Sequence, residues 1–287
     1  MQKNRILIQC LIFLFILVSK GDSYSKETII WGHACIPPIY VCDENKLTGV
    51  AVDIENIIFE NLKEYNHKRV RSNLERLLQN LKTKGLFCNS FISKNADREK
   101  FLYYSIPAAI VPPIHIFIRK DDYAAFGGTN AISLENTLKN SKLKFGYPSF
   151  RSFGPTIDSI IKLHAKDAHL FPTYSSEIVK QQIILLKDKR IDYTIGGYFE
   201  INFAANQGTK IEIMPLKIEE TQNYLVLYIV CPKNEWGKRM IDKINEILRK
   251  EIPTQRYFDS FKPFYDEITQ DEFKEQYQKL LLTPLLK

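Results

Sequence analysis

Short apolar runs alternate with amphipathic helical stretches along nearly the whole chain, and this alternation is what most restricts the folds open to it. Apolar runs of four to eight residues suit buried strands, whereas apolar positions three and four apart suit a helix with one buried face. Residues 28–31, 86–91 and 114–119 read as strands. Between them, Ile54, Ile57, Ile58, Leu62 and Tyr65 mark one helix, with Asp53 as its expected cap. Leu74, Leu77, Leu78 and Leu81 mark a second, opened by the capping box Ser72-Asn73-Leu74-Glu75 and stopped by a left-handed Gly85. The pattern loosens after Lys120, through Gly127-Gly128, and then resumes. It continues as strand 143–147, a helix opened by Pro155, helix 176–189, strand 191–195, apolar run 225–230, helix 235–250 and helix 271–282.

Strands alternating with helices predict an α/β fold with mixed, mostly parallel sheets flanked by helices. The break near residue 120 divides it into two lobes: residues 26–119 with 221–287, and residues 120–220. Hinge crossings are then expected at 119–121 and 219–224. Facing α/β lobes create a cleft beyond the carboxyl ends of their strands.

Residues 1–25 follow the plan of a secretory leader. Lys3 and Arg5 precede an apolar stretch from Ile6 to Val18, and Ser23 and Ser25 flank Tyr24 before the expected cleavage at Lys26. The stretch has 13 residues, short of the ~20 that a membrane span requires. Cys10 lies inside it behind Gln9, which argues against a lipid attachment. The remainder is expected to be exported, periplasmic or otherwise, and soluble.

At 45% hydrophobic and 25% charged residues, the composition excludes a disordered chain, a collagen, a long coiled coil and a multispanning membrane protein. The 40 basic and 33 acidic residues are interspersed, with no run of five like charges, so nucleic acid is not an expected partner. Cys35 and Cys42 flank Pro37-Pro38 and are placed to close a small loop. Cys88 and Cys231 sit in apolar runs and read as buried thiols, although an exported compartment permits disulfides. No cysteine–histidine spacing suits zinc, and His115 between Ile114 and Ile116 reads as a core histidine, so neither metal nor cofactor is expected. Nucleophile elbow, phosphate loop, HExxH and Gly-x-Gly are all missing, so nothing points to an enzyme.

The most informative stretch contains Ser90-Phe91-Ile92-Ser93, then Asp97-Arg98-Glu99-Lys100-Phe101, then Tyr104-Ser105-Ile106-Pro107. It resembles the Ser/Thr-rich loop, the arginine and the aromatic-Ser-x-Pro segment of the family 3 extracellular solute-binding proteins, which have the type II periplasmic binding fold. Trp31 with Pro37-Pro38, Leu47-Thr48-Gly49, the glycines at 146 and 154, and Arg190-Ile191-Asp192 follow in the same order. Leu86-Phe87-Cys88 further resembles a subgroup of undefined ligand. The resemblance spans nearly the whole chain after the leader.

It implies a monomeric protein that closes on a small-molecule ligand and presents it to a membrane transporter permease. Arg98 would clamp a ligand carboxylate, since a planar guanidinium can donate two parallel charge-assisted hydrogen bonds. The competing reading of Arg98 is a surface ion pair. Ser90 and Ser93 would supply further donors. Arg151 and Ser152 fall ahead of a helix N-terminus, where free N–H groups favour anions, and Arg151 would add a second positive charge. Amino-acid binders of this family hold the ligand ammonium with an Asp where this chain has Gly197, and Glu200 could replace it only if the loop were rebuilt. The departure favours an anionic or aromatic ligand, with Tyr40 and Tyr198 as stacking candidates. The alternatives are an enzyme on the same scaffold, such as a small-acid dehydratase, and a sensory or interaction module.

Overall fold

The computed structural model describes residues 26–43, 46–140, 142–175, 177–206, 211–221, 223–266 and 269–286; the expected leader, with Cys10, lies outside them. Strands in chain order are β1 (Thr28–His33), β2 (Val41–Cys42), β3 (Leu47–Thr48), β4 (Asn66–Arg71), β5 (Phe87–Ser93), β6 (Leu102–Val111) and β7 (Ile114–Arg119). They continue with β8 (Ala131–Ile132), β9 (Phe145–Pro148), β10 (Leu170–Thr173), β11 (Tyr193–Gly197), β12 (Ile213–Ile218) and β13 (Leu225–Pro232). One sheet runs β4-β1-β5-β13-β6 and the other β10-β9-β11-β7-β12-β8, while β2 and β3 pair separately. Helices flank both sheets, giving the expected two-lobed α/β architecture.

Both large sheets are mixed for one topological reason. Every antiparallel pairing in them involves β7 or β13, the strands by which the chain enters a lobe straight from the other one. The first crossing is Pro112-Pro113 between β6 and β7, because β7 pairs with β11 and β12 of the second sheet. This corrects the crossing expected at 119–121: two adjacent prolines remove two ladder donors and mark the boundary more sharply than the loosened stretch after Lys120. The second crossing joins β12 to β13.

Local chemistry accounts for the elements, with some revisions. Ile29 and Trp31 of β1 are fully buried, as befits a central strand. Its neighbour β4 reads Asn-His-Lys-Arg-Val-Arg and carries no apolar strand signal, because an edge strand needs little apolar surface and is protected by charge. The helix Val50–Asn61 begins three residues before Asp53. Its free N-terminal donors are met by the 35–42 loop, Val50 N–H donating to the Pro38 carbonyl at 3.1 Å and Ala51 N–H to that of Ile39 at 3.1 Å. Gly49 precedes it with φ 121°, and a β-carbon there would stand 2.5 Å from both carbonyl oxygens, so only glycine fits. On the next helix, Leu74–Thr83, Asn73 rather than Ser72 is the cap, accepting from Arg76 N–H at 2.8 Å. Gly85 does not adopt the left-handed conformation, and the helix is instead capped by Lys84 in the extended region, φ −98° and ψ 139°.

Cys35 pairs with Cys42. Cys88 and Cys231, expected as buried thiols, form a second disulfide because β5 and β13 are adjacent antiparallel strands that bring their Cα atoms to 4.4 Å. No described helix is long and apolar enough to cross a membrane.

Candidate functional site

Arg98 lies between the two lobes. It belongs to the short helix Ala96–Glu99, whose cap Asn95 accepts from Arg98 N–H at 2.9 Å and so turns the side chain back toward the end of β5. There Nη1 donates to the carbonyl and hydroxyl of Ser93 at 3.0 and 2.8 Å. Nη2 donates across the groove to the Phe150 carbonyl of the other lobe at 2.8 Å. The residue is 8% exposed, and burial lowers its pKa while Tyr104 and Asp158 oppose that shift. Among the described residues no carboxylate comes within 4.0 Å of the guanidinium; its hydrogen bonds all go to neutral oxygens.

The other cation of the groove is paired. Arg151 Nη2 donates to Glu200 Oε1 at 2.7 Å, and Glu200 is almost completely buried. Glu200 stands at the third position of the helix Tyr198–Asn206 and reaches back to accept from Gly197 N–H at 3.1 Å, the acidic half of a capping box. The Glu200 carboxylate thus lies against Gly197, and the second positive charge expected at Arg151 is neutralised by it. The spacing Gly197-x-x-Glu200 ahead of an apolar run was the signal for this.

Aliphatic and aromatic side chains of the first lobe, Ile36, Ile39, Leu74, Phe91, Leu225 and Leu227, wall the groove together with Ser93, and the second lobe faces them with Arg151, Ser152 and Glu200. Its cavity is about 70 Å³, the space of a few waters. Two of the aromatic residues here, Phe91 and Phe150, have positive φ (76° and 62°), a strained backbone for bulky side chains of the kind that collects at functional sites. Besides Arg98, the lobes also touch through a backbone bridge between Cys35 and Glu177, an exposed Arg71–Glu177 ion pair at 3.2 Å and Phe199, packed against the first-lobe core with its ring 6.5 Å from that of Phe264.

Some expected residues are on the groove but already engaged, and others lie off it. Ser152 is engaged by Asp158, whose carboxylate also accepts from Phe153 N–H at 2.7 Å. Tyr198 is 40% exposed and lies with Gly197 in a shallow depression beside Phe199 and Phe264. Tyr40 and Ser90 are in the core of the first lobe. The Tyr40 hydroxyl and the Ser90 hydroxyl donate to Glu55 Oε1 at 2.5 and 3.0 Å, while Arg69 Nε donates to Oε2 at 2.5 Å. Burial raises the Glu55 pKa, against the pull of Arg69 and these hydrogen bonds.

His33 stacks on Tyr40 with ring centroids 5.0 Å apart. Burial, reinforced by Arg69 and Arg71, lowers its pKa to about 4 from 6.5. A depressed histidine is neutral in the fold, so its contribution is complete above pH 6.5 and is lost as the pH falls toward 4. Urea titrations at pH 7 and pH 4 should show wild type losing about 2 kcal/mol more than His33→Phe, with solvent screening allowed for. Equal losses in the two proteins would remove His33 from the account of acid sensitivity.

No protein-family model and no curated protein matches the chain. Solved structures do. An ancestral arginine-binding protein bound to glutamine has 18% identity and a TM-score of 0.66, over 85% of this chain and 100% of that one. A histidine kinase sensor domain with similarity to periplasmic binding proteins has 15% identity and a TM-score of 0.68, over 83% and 96%. A putative L-cystine ABC transporter protein from Listeria monocytogenes has 20% identity and a TM-score of 0.66, over 83% and 95%. At such identities the likeness carries the fold, and the chain has the two-lobed fold of the amino-acid-binding periplasmic proteins.

Proposed function

We propose that this chain is an exported solute-binding protein that closes its lobes on a small organic carboxylate and presents it to a membrane transporter. The observation that carries the reading is Arg98, a buried cation between the lobes whose hydrogen bonds, among the described residues, go only to neutral oxygens. Burying a charge without a counter-charge is costly, and a carboxylate entering the groove would relieve that cost through charge-assisted hydrogen bonds. With Arg151 and Glu200 cancelling, Arg98 is the groove's remaining cation, offset only at a distance by Asp158, which suits a monoanion. Its aliphatic and aromatic walls suit an apolar body.

A cavity of about 70 Å³ is well below the roughly 300–1,000 Å³ of small-molecule sites, so the lobes part to admit such a ligand. The two crossings provide hinges, and closure follows when the ligand contacts both lobes. Binding is favoured over catalysis because the groove's own carboxylate, Glu200, is taken up by Arg151 and Gly197 N–H. Export is supported by the leader expected at residues 1–25 and by two disulfides, which persist in oxidising compartments.

Native mass spectrometry of protein purified from its own host should reveal the co-purifying acid. Calorimetry with that acid should then show Arg98→Gln binding about 100-fold more weakly, the worth of a lost charge-assisted pair. A loss of only a few fold would remove Arg98 from the clamp role.

A further inference from the structure

We infer that Arg151 is the built-in occupant of a cation subsite on Glu200, and that this internal pair decides which carboxylates the groove accepts. The inference rests on the reading of the groove as a carboxylate-binding site. A β-carbon placed on Gly197 would stand 3.0 Å from Glu200 Cδ and 3.1 Å from Oε1. The Glu200 carboxylate therefore fills the space that a side chain at 197 would claim, and it presents negative charge to the groove from there. It is fixed, being 1% exposed and tied to the backbone at a helix start. Arg151 is held less firmly. Its side chain is 12% exposed, its guanidinium lies 5.1 Å from the Phe153 ring, and Glu200 is its ion-pair partner. Of the two, the long arginine side chain is the one that can be displaced.

This asymmetry has a consequence for specificity. A ligand with an ammonium next to its carboxylate reaches Glu200 only by expelling Arg151, and separating a buried pair is costly. A carboxylate without the ammonium leaves the pair intact and meets Arg98 alone. The groove thus selects plain carboxylates over α-amino acids of the same skeleton, and Arg151 is the specificity-determining residue. Discrimination arises from the repulsive side, by leaving a charge unpaired in the disfavoured complex.

Two measurements test this. In the first, methylguanidinium is titrated into wild type, Arg151→Ala and Arg151→Ala/Glu200→Gln while thermal unfolding is followed. Saturable stabilisation confined to Arg151→Ala is expected, since only that protein has an open cation subsite. If Arg151→Ala folds poorly, recovery of its folded fraction by methylguanidinium reads the same subsite. Stabilisation of none of the three, or of all three alike, overturns the inference. In the second, 4-methylpentanoate and leucine, one skeleton without and with the ammonium, are compared by calorimetry. The affinity ratio should move toward leucine by roughly tenfold or more in Arg151→Ala, and an unchanged ratio overturns the inference. Should methylguanidinium act on Arg151→Ala while neither acid binds wild type, the cation subsite stands and the carboxylate reading of Arg98 falls. Should 4-methylpentanoate bind wild type through Arg98 while methylguanidinium has no effect, the reverse holds.

Discussion

Replacing Cys88 and Cys231 together by alanine lowers the free energy of unfolding by about 5 kcal/mol, the loop-closure entropy recovered by the unfolded chain. The crosslink spans 143 residues and encloses the whole second lobe. Opening it therefore frees far more chain than opening Cys35–Cys42, which spans 7 residues and is worth about 2 kcal/mol on the same basis. The native sheet changes little in the variant, because β5 and β13 remain paired from Asn89–Val230 to Ser93–Leu227 and β13 keeps its ladder with β6. Urea titrations of the wild type and the two double-alanine variants check this, with the Cys88/Cys231 variant the weaker. If that variant loses less than about 1 kcal/mol, the crosslink is not what ties the lobes into one unfolding unit.

Glu55→Ala costs about 3–5 kcal/mol by leaving Arg69 as an uncompensated cation and by taking the acceptor from the Tyr40 and Ser90 hydroxyls. Arg69 keeps its bonds to the Val52 carbonyl and Asn56 Oδ1 and its place 4.6 Å over the Phe59 ring, but it loses its only ion pair among the described residues. Removing both charges in Glu55→Leu/Arg69→Met should cost less than Glu55→Ala alone, since a hydrophobic pair of similar volume often replaces a buried ion pair without loss. Chemical denaturation of the three proteins decides it. A double variant weaker than Glu55→Ala would mean that the cluster stabilises by hydrogen bonding and shape rather than by compensating charge.

Glu55 shows where sequence reading stops. It lies on a helix whose apolar positions Ile54, Ile57 and Ile58 define one buried face, and periodicity leaves an acid at 55 for solvent. In the structure this residue is 1% exposed, because the helix is packed over more than one face and takes the 35–42 loop across its start. Periodicity reports which face is apolar; it does not report how many faces are covered. Glu200 is a parallel case. Its capping-box spacing from Gly197 was present in the sequence, but that its free oxygen would meet an arginine 49 residues away was not. Tyr40 and Ser90 carry the same lesson in reverse: residue type and order in the chain placed them at a cleft, and burial placed them under it.

What the chain determines through local chemistry is its alternation of strands and helices and its division into two lobes. It also sets the order of its punctuating prolines and glycines and the arginine carried on a turn after the β5 strand. Each depends on residues within a few positions of one another. The partners were settled by tertiary structure: Cys231 for Cys88, Glu200 for Arg151, Phe150 for Arg98, Arg69 for Glu55. Strand order and helix placement bring these pairs together across spans that side-chain periodicity does not encode, and in a closely packed interior that meeting decides which charge is cancelled and which keeps only neutral hydrogen-bond partners among the described residues.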